Sequence, residues 1–181
     1  FFEREMKLVN YTGATFNLRV QRNITLLTRE ETAEILGISI PESIKIVGFA
    51  SENSLTNIGS EDWDKKTGLL SIWILSMFNS SDQTTIIIPF KKGDEAILGK
   101  KVTDDYFGKI PKERLQVKDS VLFFKADGKE RGKIGISPQR ALPVMGSYDA
   151  KNKVLTIAKF SLREGAMDYV NSLWELQEFP F

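Results

Sequence analysis

Alternating apolar and polar residues predict a strand near the start of the chain. From Phe16 to Gln21 the two kinds of side chain alternate strictly, and Ile24 and Leu26 extend the same parity. A period of two is typical of a strand with one face buried. The chain therefore begins with at least one half-buried strand.

Further segments rich in β-branched and aromatic residues also predict strands. They are 44–50, 54–58, 69–78, 84–90, 121–125, 133–137, 144–148, 154–160 and 170–176. The segments 69–78 and 84–90 are apolar on both parities, as in strands buried on two faces. Asp127-Gly128 predicts a hairpin turn between 121–125 and 133–137, and 149–153 predicts another. For 170–176 a helix is the alternative.

One helix is indicated near residues 28–37. Thr28 and Glu31 have the spacing of a capping box, in which each side chain accepts a hydrogen bond from the other residue's backbone N–H. Gly37 fits the position after the last turn. Many short strands with one helix predict an all-β fold, a β-sandwich of two packed sheets. We expect residues 1–181 to form a single domain.

Composition narrows the classes of function. Lys and Arg number 25 against 24 Asp and Glu, a net charge of +1, which argues against a nucleic-acid partner. No apolar run reaches the roughly 20 residues of a membrane helix. Cys and His are both absent, which excludes disulfides, thiolate or imidazole metal ligands and a Ser-His-Asp triad. We expect no cofactor and no metal, and proton chemistry would depend on Asp, Glu, Lys or Tyr.

Short polar side chains near one predicted strand form the first candidate site. Glu52, Asn53 and Asn57 could hydrogen-bond sugar hydroxyls, although Asn is also common in turns. Arg140 is a possible further contact, with surface solvation as the alternative. The sequence does not choose between these interpretations.

Two residues near the end of the sequence form the second candidate site. Trp174 could stack on a sugar ring, and Glu175 beside it would be partly desolvated, which suits a general acid or base. An outward-facing Glu175 in an alternating strand is equally compatible with the spacing. Trp73 lies in an unbroken apolar run and is expected in the core, whereas Trp63, between two aspartates, is expected to be exposed.

Several segments of the chain resemble an uncharacterised bacterial family, a domain of unknown function in secreted or lipoprotein-like proteins. They are 47–57 (VGFASENSLTN), 68–78 (GLLSIWILSMF), 104–108 (DDYFG), 133–138 (KIGISP) and 146–149 (GSYD). The resemblance implies a periplasmic, extracellular or cell-surface location. It implies no activity.

Other motifs are similar to the galactose mutarotase-like supersandwich of the aldose epimerases. They are 55–59 (LTNIG), 75–79 (LSMFN) and 174–180 (WELQEFP), and the last aligns Glu175 with the epimerase base. Leu75 stands where the epimerases have their catalytic His. The resemblance implies a supersandwich incomplete at its N-terminal side, so the chain is expected to be a fragment of a longer protein.

Three functional hypotheses follow. The first is a carbohydrate-binding domain without the epimerase acid, with Glu52, Asn53, Asn57, Arg140 and Glu175 along a groove for a mono- or oligosaccharide. The second is a carbohydrate-active enzyme in which Glu175 is the base and Tyr148, Lys159 or Asp149 the acid. The third is a non-catalytic structural or interaction domain. The sequence does not identify the sugar or the oligomeric state.

Overall fold

The computed structural model describes residues 1–10, 12–70 and 72–163. The chain divides into two compact units, Phe1–Leu75 and Ser76–Phe181. Each unit contains one antiparallel sheet, of three strands in the first and five in the second. The predicted all-β class is therefore confirmed, and two antiparallel sheets are consistent with a sandwich-like fold. A single domain over 1–181 stays a prediction.

The sheet of the first unit has the order β1-β2-β3. Its strands are β1 (Phe2–Val9), β2 (Thr15–Leu27) and β3 (Gly48–Asn57). The strand predicted from 16–26 is confirmed as β2. The predicted segments 44–50 and 54–58 correspond to one continuous strand, β3. No prediction anticipated β1, in which charged side chains stand on both parities.

The two faces of this sheet differ in polarity. Phe16 and Leu18 of β2 are buried, at 3% and 2% exposure. On the opposite face, Arg19 donates to the Glu5 carboxylate at 2.7 Å across β1 and β2. Because successive side chains of a strand point to opposite faces, the alternation of β2 fixes which face is apolar.

The predicted helix is present as α1, Arg29–Leu36. The Thr28 hydroxyl accepts from the Glu31 N–H at 3.2 Å, and the Glu31 carboxylate accepts from the Thr28 N–H at 2.7 Å. Gly37 ends the helix in the left-handed region, at φ 68°. The capping box read from the sequence is therefore confirmed in both of its hydrogen bonds.

The sheet of the second unit has the order β5-β6-β4-β7-β8. Its elements are β4 (Thr84–Pro89), α2 (Glu95–Leu98), β5 (Leu115–Val117), β6 (Val121–Lys125), β7 (Val144–Asp149) and β8 (Val154–Lys159). The predicted hairpin over 149–153 is confirmed as the turn between β7 and β8.

A small core lies on one face of this five-stranded sheet. It consists of Phe90, Leu115 and Leu122, all with at most 7% exposure. Ile88 and Phe124 of the sheet pack against it, as do Ile110, Ile134 and other apolar residues of the long connections. The connections therefore cover one face of the sheet.

The strand predicted over 69–78 is wrong for the part of this segment that the structure describes, 69–70 and 72–78. These residues carry no strand assignment, and Trp73, expected in the core, is 64% exposed. An apolar run gives strand propensity, but a strand forms only where a neighbouring backbone accepts its hydrogen bonds.

The returning strand predicted over 133–137 is also wrong. Gly135 forms only an isolated bridge with Thr103. The reason lies in the sheet, because β6 already has β5 on one side and β4 on the other. A strand has two edges, so no edge of β6 is left for a hairpin partner after Asp127-Gly128.

Candidate functional site

Arg140 is fully enclosed in the second unit, with 0% exposure. Its guanidinium donates three hydrogen bonds to main-chain carbonyls, at 2.7 Å to Gly99, 2.9 Å to Lys91 and 3.1 Å to Gly93. A planar guanidinium can satisfy several acceptors at once. Arg140 therefore stabilises the segment 91–99, which follows β4.

The backbone of Arg140 is also part of this arrangement. Its carbonyl accepts from the Lys91 N–H at 2.9 Å, and its N–H donates to the Ser137 carbonyl at 3.0 Å. The Ser137 hydroxyl donates to the Leu98 carbonyl at 2.8 Å. These contacts favour a structural role for Arg140, and its contact with a sugar stays a prediction.

A second arginine of this unit forms an ion pair. Arg114 donates to both carboxylate oxygens of Asp127, at 2.7 and 3.3 Å, and also reaches Glu130 at 3.3 Å. The side chains of Arg114 and Asp127 are 9% and 1% exposed. The hydrogen bonds from Arg114 hold the pKa of Asp127 well below its usual range.

Asp149, at the end of β7, accepts hydrogen bonds at both carboxylate oxygens. One oxygen accepts from the Ser81 hydroxyl at 2.6 Å and the Lys151 N–H at 3.0 Å, and the other from the Asn152 amide at 2.7 Å. The Ser81 hydrogen bond is the largest cause of the lowered pKa of Asp149. The group is therefore ionised at neutral pH, which is unfavourable for the general-acid role considered above.

The face of the five-stranded sheet opposite the core combines two aromatic side chains, Phe123 and Tyr148, with polar ones. Phe123 of β6 is half-buried and lies directly opposite Gln116 of β5. Thr85 of β4 pairs with Lys125 on one side and with Tyr148 on the other. Because paired residues share a face, these five side chains occupy one surface, which we call the Phe123 face.

An open depression of about 340 Å³ lies at the Phe123 face and its rim. Phe123 is its only aromatic lining residue, and the other lining residues are polar or charged: Asp82, Gln83, Thr84, Thr85, Glu113, Arg114, Gln116 and Lys125. Asp82 and Glu113 are exposed carboxylates, which supply hydrogen-bond acceptors. The depression can thus offer one apolar surface with donors and acceptors around it.

A second open depression, of about 480 Å³, has no aromatic lining residue. It is lined by Asp104, Lys109, Ile110, Lys112, Leu115, Gln116, Val117 and Lys118. Lys109 is paired with Asp104 at 2.6 Å. Without a ring on which an apolar ligand face could stack, it is less suited to a sugar than the first depression.

The polar residues predicted on β3 do not all share one face. Asn53 and Asn57 are four residues apart and point to the same side of the strand, whereas Glu52 points to the other. Glu52 accepts from the Asn23 amide at 3.3 Å on β2. Only Asn53 and Asn57 could therefore contact one ligand together on this sheet.

Both asparagines also hydrogen-bond within their own segment. The Asn53 amide donates to the Ser51 carbonyl at 3.1 Å. Asn57 accepts from the Gly59 N–H at 2.9 Å and donates to the Glu61 carbonyl at 2.8 Å. The Asn57 bonds are those of a local turn after β3, whereas the Asn53 bond lies within the strand. The role of Glu52, Asn53 and Asn57 in sugar binding stays a prediction.

Trp174 and Glu175 lie outside the described residues, so their predicted roles also stay predictions. Trp63 is half-buried rather than exposed, with its ring edge-on to Phe16 at 6.1 Å between centroids. Sequence reasoning missed Phe123 and Gln116, because 121–125 is apolar on both parities and gives no sign of which side faces the core.

Within the part of the chain that the structure describes, no group of three or more acidic side chains is placed to hold a metal ion. Over the same residues, no helix has the length and apolar character needed to cross a membrane.

A family model covers the whole chain. It matches residues 1–181 and is described as a family of unknown function, DUF6786. The chain belongs to this family. No curated protein and no solved structure matches the chain significantly. Membership of DUF6786 therefore agrees with the resemblance to a domain of unknown function, and it supplies no activity.

Proposed function

We propose that this member of DUF6786 is a carbohydrate-binding domain and that the sugar binds at the Phe123 face. The observation that carries the proposal is the depression lined by one aromatic ring and eight polar or charged residues. Sugars have an apolar C–H face and a rim of hydroxyl groups. An aromatic ring and surrounding hydrogen-bonding groups complement these two features.

The polar groups around Phe123 are suited to hydroxyl groups. Gln116 and Thr85 offer both donors and acceptors beside the ring. Asp82 and Glu113 offer carboxylate oxygens, each able to accept from two neighbouring hydroxyls. A ligand stacked on Phe123 could therefore be held at its edge from more than one side.

The charges favour a neutral sugar over an acidic one. Arg114 is bonded to Asp127 at 2.7 Å, and the Lys125 ammonium lies 3.5 Å from the same carboxylate. The positive charge of these groups is thus partly neutralised, while Glu113 and Asp82, the latter 3.5 Å from the Lys151 ammonium, add negative charge at the rim. A uronic acid or sulfated sugar would be repelled by these two carboxylates.

A second candidate is catalysis on a carbohydrate, with Glu175 as the base. Tyr148 is 42% exposed and lies on the Phe123 face, so it suits the acid role better than Asp149. The resemblance to aldose epimerases supports this alternative. We also propose that the chain is related to the galactose mutarotase-like proteins and that it is located in the periplasm, outside the cell or at the cell surface. A purely structural domain is the third possibility.

The test is a panel of neutral and acidic mono- and oligosaccharides, measured by thermal shift and calorimetry on the full chain. A ligand that binds the native state raises the melting temperature. We expect a neutral sugar to bind, Phe123→Ala to abolish binding, and Gln116→Ala, at an exposed position, to weaken it without unfolding the protein. Glu175→Gln tests the enzymatic alternative, in which this substitution removes turnover.

Matched variants locate the site. Phe49→Ala removes an exposed ring of the first unit, 60% accessible, and should leave binding unchanged. Asn53→Ala tests the site predicted on β3. Binding lost in Asn53→Ala but retained in Phe123→Ala and Gln116→Ala would contradict the Phe123 face, and a panel without any binding sugar would contradict the carbohydrate function.

A further inference from the structure

The two depressions of the second unit adjoin each other at β5 (Leu115–Val117), an edge strand among the described residues. Gln116, in the middle of this strand, lines both depressions. Its side chain lies on the Phe123 face, whereas those of Leu115 and Val117 point to the opposite side of the strand. Both of these neighbours line the second depression. A ligand on the Phe123 face can therefore extend past Gln116 around the edge of the sheet.

The two depressions differ in charge. Two cationic and two acidic side chains line the first, and these charges cancel. Three lysines and one aspartate line the second, which gives it a net charge of +2: Lys109, Lys112, Lys118 and Asp104. A ligand that occupies both depressions thus meets a positive environment at one end alone.

The excess positive charge of the second depression lies at two of its lysines. The Lys109 ammonium is paired with the Asp104 carboxylate at 2.6 Å, so these two charges offset each other. Lys112 and Lys118 are both exposed and line the same depression. These two ammonium groups are suited to an anionic group of a ligand.

The main chain of β5 adds a hydrogen-bond donor at this edge. The Lys118 N–H donates to the Val121 carbonyl at 2.9 Å, so the backbone polar groups of Lys118 face β6. These groups alternate in direction along an antiparallel pair. The Val117 N–H therefore points away from β6, on the side where the second depression lies.

We propose that the ligand is a mixed oligosaccharide, with a neutral unit stacked on Phe123 and an adjoining acidic unit beside Lys112 and Lys118. The acidic unit carries a carboxylate or a sulfate. This inference rests on the proposed function, because it extends the ligand of the Phe123 face. The Glu113 carboxylate lines the first depression and repels an anionic group there. The charges therefore determine which end of the ligand lies in which depression.

The first test is calorimetry on the full chain at low ionic strength. Cellobiose and lactose are each compared with two derivatives, whose non-reducing ring carries either a carboxylate at C6 or a sulfate on O6. We expect an acidic derivative to bind about tenfold more tightly than its parent, because two exposed ion pairs together contribute a factor of this order. The difference should disappear in about 1 M sodium chloride, which screens exposed charges.

Paired lysine variants assign this preference to the second depression. Lys112→Gln/Lys118→Gln removes both charges, and the ratio of the dissociation constants of parent and acidic derivative should fall from about ten to about one. Lys7→Gln/Lys45→Gln changes two exposed lysines of the first unit and has the same effect on net charge. It is the matched control, and the ratio should stay at about ten.

A second measurement does not depend on stacking at Phe123. The isotope-labelled chain is titrated with sodium glucuronate or glucose 6-sulfate and followed by NMR. We expect the amide signals of Lys112, Val117 and Lys118 to shift with at least one of these anions and to stay unchanged with glucose. The Lys112→Gln/Lys118→Gln variant should lose the shifts of Val117.

Three results would overturn the proposal. They are equal affinities for the neutral and acidic disaccharides, a preference that persists in Lys112→Gln/Lys118→Gln, and amide signals that neither anion shifts. A gain with the carboxylate or the sulfate derivative alone supports the proposal and identifies the acidic group. If the anions shift the amides of the second depression while no sugar in either series or in the panel binds, the proposed function fails and the mixed ligand with it. If neutral sugars bind without any acidic preference, the mixed ligand alone fails.

Discussion

In the first unit the sheet buries Phe16 and Leu18 on one face and carries a ladder of polar pairs on the other. In the second unit the sheet encloses Phe90, Leu115 and Leu122 together with two arginines. Both sheets are antiparallel, yet the second is closed on one face by long connections. Buried polar groups are tolerated there because each has partners, and this difference predicts where the protein is most sensitive to substitution.

The largest effect is expected for Leu122→Ala in the core of the second unit. Leu122 is 0% exposed, and a Leu→Ala change at such a position lowers the free energy of unfolding by about 3 to 4 kcal/mol. Leu26→Ala in the first unit is the control, since Leu26 is 77% exposed, and should cost less than about 1 kcal/mol. Urea unfolding followed by circular dichroism measures both, and equal losses would break the comparison.

The next effect is expected for Arg140→Met. It leaves the carbonyls of Lys91, Gly93 and Gly99 without the guanidinium, and we expect a loss of about 2 to 3 kcal/mol. Arg22→Met, at an exposed position of β2, should change stability by no more than about 0.5 kcal/mol. If Arg140→Met left the free energy of unfolding unchanged and also abolished sugar binding, Arg140 would have a ligand-binding role instead of a structural one.

The smallest effect is expected when the pH is lowered, and the resulting loss of stability should depend on Asp127 and Asp149. Their pKa values are lowered in the folded protein, so each stabilises the fold above the ordinary aspartate pKa. This stabilisation is lost as the pH falls from about 5 toward the folded pKa. Asp127→Asn should lower the melting temperature at neutral pH and flatten its fall with acid, whereas Asp105→Asn, at an exposed position, should leave the profile unchanged. If the melting temperature depended on pH in the same way in both variants, the role of the Arg114–Asp127 pair would be contradicted.

Local signals in the sequence predicted several elements correctly. The alternation of 16–26 predicted β2, Thr28 and Glu31 predicted the start of α1, and the polar run 149–153 predicted the turn between β7 and β8. Each of these depends on residues within a few positions of one another. The physical causes, which are the pleat, the cap and the turn, are local as well.

The wrong predictions concern partners far apart in the chain. Asp127-Gly128 looked like a hairpin turn, but the Asp127 carboxylate pairs with Arg114 and β6 has both of its edges occupied. For the candidate site, the sequence did not show that the Asn53 and Asn57 amides form hydrogen bonds within their own segment, and their role in sugar binding stays a prediction. Phe123 could not be selected because its neighbours are equally apolar.

The sequence by itself determined the all-β class, the helix at Thr28, the absence of Cys and His chemistry and the parity of β2, because composition, period and capping are properties of short stretches. The tertiary structure decided that Arg140 is enclosed by three carbonyls, that Arg114 neutralises Asp127 and that Phe123 lies opposite Gln116. Those outcomes depend on which strand edges meet. Strand order is set by packing and hydrogen bonding across the whole unit, and no local stretch of sequence encodes it.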